Sequence, residues 1–422
     1  MKSRMEQANT RVRKYTVIAG LLMLSLNLDA QTLSLDSVLH VVDRQNPMLQ
    51  TYRNRARAMD IYSSGSKSLM APEVGGGLWM FPYVRQDDRM TDTRQIMLSI
   101  SQTFTNPTKL KARQRYMASQ ARIEHASERV AFNELRSQAK LAYYRWHVFE
   151  QRKQVLQESE EILNLMIQVN QLRFPYNQSK LSSIYKAEAR LHEIKNMQLM
   201  NDTEIHHQMT ELAQLMNLSG EVTFLIDTTS VSVNRVYAHV DTTLLAASRS
   251  DIHQLDYTIE AMRLNQQVEQ TQTKPDFNLS FNHMISVGQG MPDQFMLLGM
   301  VTIPIAPWSS KMFRANQQGM SHEIESMKSE RKAILNEVQG MTRNMVTEIS
   351  SLKQQLSNLQ TKIIPALRKN YELLFQAYEE NKEELPMVIE GWEALNMMQL
   401  QYFDTLNTYY EMIVRYEKEI ER

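Results

Sequence analysis

The sequence predicts a mainly α-helical protein with a smaller membrane β-barrel portion, built from a strand-strand and long-helical-hairpin unit that occurs twice. Three observations predict this fold class. Apolar residues recur every seven positions over very long segments, which is typical of coiled-coil helices. A pair of short segments with alternating apolar and polar residues precedes each long segment. Landmark residues of the two halves match at offsets of 202 to 204 residues.

The composition excludes several classes of protein. The chain of 422 residues has 47 basic and 47 acidic side chains, so no global charge attracts nucleic acid. It has no cysteine, which excludes disulfides, thiolate metal sites and a cysteine-linked lipid anchor. Because no run of 18 apolar residues occurs, a helical membrane protein is also excluded. A membrane β-barrel is not excluded, because its strands are short and alternate apolar with polar residues.

The N-terminus has the order of a secretory signal peptide. Five basic residues between Lys2 and Lys14 precede a mostly apolar segment, residues 17–28, and Ala30 stands just before Gln31. We therefore predict a signal peptide at 1–30, a mature chain of 31–422 and a destination in the envelope of a Gram-negative bacterium. An N-terminal amphipathic helix is the alternative interpretation.

The mature chain is predicted to contain two structural repeats, residues 31–220 and 221–422. A period of about 200 residues is too long for a solenoid, which indicates a duplicated half. The matched residues are Pro72 and Pro275, Lys109 and Lys311, Phe174 and Tyr378, and Leu191 and Leu395.

Each repeat is predicted to contain a short helix and a long helical hairpin. The hairpins are expected at about 109–217 and 311–421, and the short helix of the second repeat at about 243–272. Glycine is absent between Gly77 and Gly220, as expected for uninterrupted helices. The sevenfold rows are Leu135, Ala142, Phe149, Leu156 and Leu163; Met345, Leu352, Leu359, Ala366 and Leu373; and Val388, Leu395, Tyr402, Tyr409 and Tyr416.

The strand pairs are expected at about 72–84 and 94–104, and at about 275–287 and 294–305. Phe277, Leu279 and Phe281 alternate with polar residues. The segments are near the 9–11 residues with which a tilted strand crosses a bilayer. Two soluble hairpins packed on helix ends are the alternative, and the signal peptide favours the membrane.

The number of strands requires an assembly. One chain offers four strands, whereas single-chain outer-membrane barrels start at about eight. An open sheet in lipid would leave backbone groups unsatisfied at its edges. Several chains must therefore combine their strands, and two, three or four copies would supply 8, 12 or 16.

Several segments carry a resemblance through their order and spacing. They are Leu35-Asp36-Ser37-Val38, Asn46-Pro47-Met48, Ile100 to Phe104 ahead of Lys109, Thr302-Ile303-Pro304-Ile305 ahead of Lys311, Arg173-Phe174 and Ala377-Tyr378. Over essentially the whole mature chain, this pattern resembles the TolC-like outer-membrane efflux protein family, the outer membrane factors of tripartite efflux and secretion systems.

The resemblance implies a homotrimer with a 12-stranded β-barrel in the outer membrane and a 12-helix α-barrel across the periplasm. It implies three partners: outer-membrane lipid, a periplasmic adaptor (membrane fusion) protein and an inner-membrane pump of the RND or ABC type. The chain would then be a passive exit duct for small molecules or ions, with no cofactor. Heavy-metal (Cu/Ag) efflux and type I protein secretion stay open as alternatives. A secreted coiled-coil scaffold without a pore is the alternative of another class.

The two predicted helical tips are the candidate gate or adaptor contact. Asn177 and Asn381 stand where the family usually has glycine, and asparagine is the next best residue for a left-handed turn. The first tip is basic and the second acidic, so pairing between them would hold a tunnel closed. A solvated charge run is the alternative. The candidates are Arg173, Asn177, Lys180, Glu379, Glu380, Asn381, Glu383, Glu384 and Glu390.

Methionine is unusually frequent, with 29 residues against 12 glycines. Thioethers suit Cu(I) and, by analogy, Ag(I), although methionine is more often flexible packing. No firm metal site is predicted. The candidate ligands are Met284, Met296, Met300, His206 and His207.

Aromatic residues near the strands suit the interfacial girdle of a barrel, with hairpin packing as the alternative. They are Trp79, Phe81, Tyr83, Phe104 and Trp308. No phosphate-binding loop, nucleophile elbow or zinc-protease motif occurs, so we expect no catalytic residue.

Overall fold

The computed structural model of the chain describes residues 32–81, 83, 93–176, 180–219, 225–226, 237–287, 291–304 and 306–421. The chain divides into two compact units, and each takes segments from both halves of the sequence. The helical unit comprises the residues up to Asn46, Glu134–Ala238 and Asn344–Lys418; the sheet unit comprises Pro47–Asn133, His239–Arg343 and the residues from Glu419 onward. The predicted signal peptide at 1–30 lies outside the described residues, and the repeats 31–220 and 221–422 stay a prediction.

Helices dominate both units, and long ones occupy the segments of sevenfold spacing. None of those described carries an apolar stretch that is long enough to cross a membrane. They are α1 (Leu35–Gln45), α2 (Pro47–Gly65), α3 (Pro107–Arg173), α4 (Leu181–Leu215), α5 (Thr242–Ser248), α6 (Ser250–Thr271), α7 (Pro307–Asn358), α8 (Ile364–Glu379) and α9 (Leu385–Glu419). A 3₁₀ turn, Phe174–Tyr176, follows α3, and a π-helical segment, Leu359–Ile363, separates α7 from α8.

The heptad rows of α3 and α9 supply the core of the helical unit. Leu156 and Leu163 of α3 are fully buried, and so is Val388 of α9. Together with Ala187 of α4 and Tyr378 of α8, they belong to one cluster of buried residues. These rows hold four helical segments together because each buries a stripe that is wide enough to contact neighbours on both sides.

One predicted row leaves the core partway along its length. Leu359 is buried, but Ala366 and Leu373, which continue the same sevenfold spacing, are exposed in this chain. The π-helical segment, Leu359–Ile363, begins at the buried residue and ends before the two exposed ones. It adds a residue to one turn, which rotates every later side chain around the helix axis. Pro365 follows that segment and lacks the N–H of a regular helical turn, which explains the interruption.

The helix expected at 243–272 is two helices that meet at Arg249. This residue is extended, with φ −79° and ψ 124°, and its largely buried guanidinium pairs with Asp251 and with Glu419 of the last helix. Its Nη1 also donates to the Glu419 carbonyl oxygen at 2.8 Å. The break therefore lets one arginine join the start of α6 to the end of α9.

The sheet unit contains a four-stranded antiparallel sheet. Its strands are β2 (Glu73–Trp79), β3 (Gln95–Phe104), β5 (Asp276–Ser286) and β6 (Gln294–Thr302), while β1 (Thr32–Leu33) pairs with β4 (Leu225–Ile226) in the helical unit. The two hairpins meet through β3 and β5, so β2 and β6 are the edges. Lys109 in the first turn of α3 pairs with Asp276 and ties that helix to the start of β5.

Candidate functional site

The four-stranded sheet has one apolar face, and that face is exposed. In the register, Val74 lies opposite Ile100, and Ile100 lies opposite Phe281. Gln102 and His283 interrupt an otherwise apolar or glycine surface. Its large side chains are Val74, Leu78, Ile96, Leu98, Ile100, Phe104, Phe277, Leu279, Phe281, Ile285, Phe295, Leu297 and Val301, which are 36% to 80% exposed.

The opposite face of the sheet is mostly small and polar, and it is the less exposed of the two. Ser99 lies opposite Asn282, and Ser101 lies opposite Ser280. Asn282 is only 7% exposed and Gln95 only 2%, whereas apolar residues alternate with them on the exposed side. A sheet in a water-soluble protein buries its apolar face, so this sheet is inverted. Polar inside and apolar outside is the alternation of a strand whose outer face contacts lipid.

Two of the predicted interface aromatics lie where strands lead into helices. Phe104 lies on the apolar face opposite Phe277, near the end of β3. Trp308 follows β6 in the first turn of α7 and is 82% exposed. Aromatic rings at strand ends are typical of an interfacial girdle.

The other three aromatics differ from the expectation. Trp79, Phe81 and Tyr83 would all lie on one face of the strand predicted at 72–84, but β2 ends at Trp79. Met80 has a φ of 58°, a left-handed conformation that stops the strand alternation. Trp79 lies opposite Gln95, on the polar face, and all three rings are exposed. The guanidinium of Arg94 stands 5.9 Å from the centre of the Phe81 ring.

In the helical unit, the ends of α3 and α8 are joined by one arginine. Arg173 donates to the carbonyl oxygens of Tyr378 and Glu379, at 2.9 and 3.1 Å. Its guanidinium lies 4.5 Å from the centre of the Tyr378 ring. The last carbonyl groups of a helix have no hydrogen-bond donor within the helix and carry partial negative charge. A cationic side chain at this end supplies both the donors and the opposite charge.

A buried asparagine completes this contact. The hydroxyl of Tyr378 donates to Oδ1 of Asn170 at 2.9 Å, and Nδ2 of Asn170 donates to the Met166 carbonyl oxygen at 2.7 Å. Burial raises the pKa of the Tyr378 hydroxyl, so the group stays protonated and remains a donor at neutral pH. Asn170 was not among the predicted site residues. It continues the row that ends at Leu163, so a polar residue at a heptad core position was the available signal.

Three ion pairs then join the start of α4, with the residue before it, to the start of α9, with the residue before it. They are Lys180 with Glu384 at 2.9 Å, Lys186 with Glu390 at 3.9 Å, and Arg190 with Glu393 at 2.7 Å. The predicted basic and acidic tips therefore do meet. Because Lys180 and Glu384 are about two-thirds exposed, that pair contributes about 0–1 kcal/mol.

The turn after α8 carries the remaining acidic candidates. Asn381 has a φ of 58°, the left-handed conformation expected of it, and Lys382 pairs with Glu380. Glu379 and Glu383 have no ion-pair partner in the part of the chain that the structure describes, and Asn177 lies outside that part. A cleft of about 390 Å³ lies at these tips, lined by Asn170, Arg173, Lys180, Ser183, Tyr378, Asn381, Glu383, Glu384, Leu385 and Pro386.

The candidate metal ligands belong to two different units. His206 and His207 are exposed on α4 in the helical unit, whereas Met284, Met296 and Met300 belong to strands of the sheet unit. Within the described ranges, no three histidine or carboxylate side chains are grouped so that they could hold a metal ion.

Comparison with known proteins gives a match in structure alone. No family model and no curated protein matches the chain. The solved structure of CusC, studied for its folding and transmembrane channel formation, has a TM-score of 0.75 at 12% identity, covering 92% of this chain and 91% of CusC. The outer-membrane channel OprN has a TM-score of 0.73 at 13% identity, and the match covers 92% of this chain and 89% of OprN. The Campylobacter jejuni outer membrane channel CmeC has a TM-score of 0.68 at 15% sequence identity. The match covers 92% of this chain and 85% of CmeC.

The chain therefore has the fold of these outer-membrane channel proteins along nearly its whole length. The resemblance in fold that the sequence predicts is confirmed.

Proposed function

We propose that this chain is the outer-membrane exit duct of a tripartite efflux system. The observation that carries the proposal is the inverted sheet: thirteen large apolar side chains face outward, while serine and asparagine line the less exposed face. An exposed apolar face of this size is unfavourable in water, whereas it is the surface that a membrane barrel presents to lipid. The likeness in fold to outer-membrane channels supports the same function.

The free edges of the sheet support an assembly of several copies. Strands β2 and β6 each pair with a strand on one side only among the residues that the structure describes, and lipid does not tolerate such open edges. Pairing β6 of one copy with β2 of the next satisfies both edges. Three copies would close a barrel of about 12 strands, the number that the resemblance implies. The helical unit would supply the periplasmic tunnel, and its tips would contact an adaptor protein and, through it, an inner-membrane pump.

The duct would be passive. We propose that it conducts small molecules or ions and that the partner pump supplies energy and most of the specificity. Heavy-metal efflux and type I protein secretion use ducts of the same design and remain alternatives for the cargo. A secreted scaffold without a pore is disfavoured, because it has no use for an outward apolar sheet face.

Fractionation of cells that produce the full chain tests this proposal. We expect recovery in the outer membrane and, after detergent extraction, a light-scattering mass near that of three mature chains once the detergent is subtracted. A soluble periplasmic protein, or a monomer in mild detergent, would contradict the proposal and leave the scaffold as the better interpretation.

We further propose that the tip contacts hold the tunnel closed at rest. Arg173→Gln removes both hydrogen bonds to the end of α8 and the contact with the Tyr378 ring. We expect cells producing this variant to become several-fold more sensitive to a bulky antibiotic that the outer membrane normally excludes. The readout is the inhibitory concentration at equal amounts of outer-membrane protein.

Arg122→Gln is the matched control for the tip variant. Arg122 also contacts a tyrosine ring, at 4.4 Å from the centre of Tyr257, and pairs with a carboxylate, Glu260, but it belongs to the sheet unit. Equal sensitivity of the two variants would contradict a gate at the tips.

A further inference from the structure

All four methionines of the sheet lie on its polar face. Met97 of β3 lies opposite Met284 of β5, while Met296 and Met300 of β6 lie opposite Asn282 and Asn278. The exposed apolar face uses isoleucine, leucine, valine and phenylalanine instead. Leu298 and Trp79 share the polar face, where the four methionines are the largest group of apolar side chains.

Three of these methionines form a continuous row across three strands. Met97 and Met284 are a direct cross-strand pair, whose Cβ atoms are about 4.5–5.5 Å apart in such sheets. Met284 lies opposite Gln294, which makes Met296 its diagonal neighbour, at about 7–8 Å. Flexible thioether side chains cover such separations easily.

The strand beside Met97 leaves room for its side chain. Gly77 lies opposite Met97 in the register. A Cβ atom at Gly77 would stand 3.7 Å from the terminal methyl of Met97, so the methionine extends over the glycine. The row therefore runs from an open position at Gly77 on β2 to Met296 on β6, with Trp79 of β2 as the diagonal neighbour of Met97.

The charge of this face selects among cations. Its acidic residues are Glu73 and Asp276, at the opposite end of the strands from Met97, and Asp276 already pairs with Lys109. Hard cations such as Mg²⁺ and Ca²⁺ require carboxylate or carbonyl oxygens. The methionines of the row have none, and the amides of Gln294 and Asn282 lie directly beside them. Thioethers are soft ligands that favour Cu(I), and Ag(I) by the same chemistry.

We propose that Met97, Met284 and Met296 form a weak, exchangeable site for a soft monovalent cation, Cu(I) or Ag(I), on the lumen of the channel. The location in a lumen rests on the proposed function; the site itself rests on the sheet register. In a ring of copies the row recurs at one height, so a cation that leaves one site finds an equivalent site beside it. The inference assigns soft metal ions as one class of cargo.

Titration of the detergent-purified full-length protein with silver nitrate in chloride-free buffer tests the site. The test variant is Met97→Leu/Met284→Leu/Met296→Leu, because leucine conserves volume but has no sulfur. The control variant is Met312→Leu/Met387→Leu/Met397→Leu, which removes three exposed methionines from helices. We expect the test variant to bind at least one Ag(I) fewer per chain, or tenfold more weakly, and the control to match the wild type.

Equal losses in the two variants, or none in the test variant, would overturn the inference. If the triple variant does not assemble, Met97→Leu alone, which still removes one member of the direct pair, is compared with Met312→Leu in the same titration.

Conductance in a planar bilayer separates the two proposals. A chain that conducts while its sheet variant binds silver normally contradicts the metal site alone. A chain that loses silver binding in the sheet variant but never conducts contradicts the channel and leaves the metal site standing.

Discussion

Ile100→Arg is expected to abolish recovery of the protein from the outer membrane. Ile100 lies near the middle of β3 on the apolar face, between Val74 and Phe281, and is 48% exposed. In a membrane barrel, arginine on the lipid face at the bilayer midplane costs about 2–4 kcal/mol. An assembly of three copies would carry that cost three times. The measurement is the amount of protein in the outer-membrane fraction, with total protein as reference.

The neighbouring residue provides the matched control. Ser101→Arg introduces the same side chain on the same strand but on the polar face, opposite Glu73, which can pair with it. We expect this variant to assemble and to differ only in its conductance. If both variants assemble equally well, or if both are lost, the assignment of the apolar face to lipid is wrong.

Lys140→Met is expected to lower the stability of the helical unit by about 3–5 kcal/mol, because removing one partner leaves a buried charge uncompensated. Nζ of Lys140 lies 2.6 Å from Oε2 of Glu417, and the two side chains are 11% and 7% exposed. The pair joins α3 to α9. Thermal unfolding of the detergent-solubilised protein, followed by circular dichroism, should show a clear decrease in Tm.

The double variant Lys140→Met/Glu417→Leu separates charge from packing. Replacing both members by apolar residues of similar size removes the uncompensated charge, so most of the lost stability should return. Lys180→Met is the exposed counterpart and should change the stability by less than about 1 kcal/mol. A double variant as unstable as the single one would show that the contact contributes through packing and not through charge.

The regular elements follow from local pattern, which explains why they were predictable. Burial of Leu156, Leu163 and Tyr409 follows from sevenfold spacing, and the exposed faces of Phe277 and Phe281 follow from twofold alternation. Both periods belong to the geometry of a single helix or strand. A sequence displays such periods without reference to the rest of the chain.

The departures occur where one residue changes the phase of a pattern. Pro365 follows the π-helical segment that leaves Leu373 exposed, Met80 adopts a left-handed φ that ends β2, and Arg249 separates two helices. Each is a single-residue event that interrupts a period, and periodicity itself carries no sign of it. Proline is the one of the three that has a local signal.

The candidate tips were predictable as charged turns, but their contacts were not. Arg173 and Tyr378 are 205 residues apart, and Lys140 and Glu417 are 277 apart, so no local pattern pairs them. The opposite charges of the two tips predicted an attraction, and the structure adds that Arg173 binds main-chain carbonyls instead of a carboxylate. That choice depends on where α8 ends, which the sequence leaves uncertain by a few residues.

Single-channel recording in a planar lipid bilayer tests the central claim most directly. The purified wild-type protein is predicted to insert in discrete steps and to pass a small ionic current, because in the proposed gate the Arg173 contacts and the ion pairs at the starts of α4 and α9 hold the tunnel closed. Arg173→Gln combined with Lys180→Gln is predicted to raise the current per insertion several-fold. Purified, assembled protein that produces no steps, in the wild type and in this variant alike, would contradict the proposal that the chain is a channel.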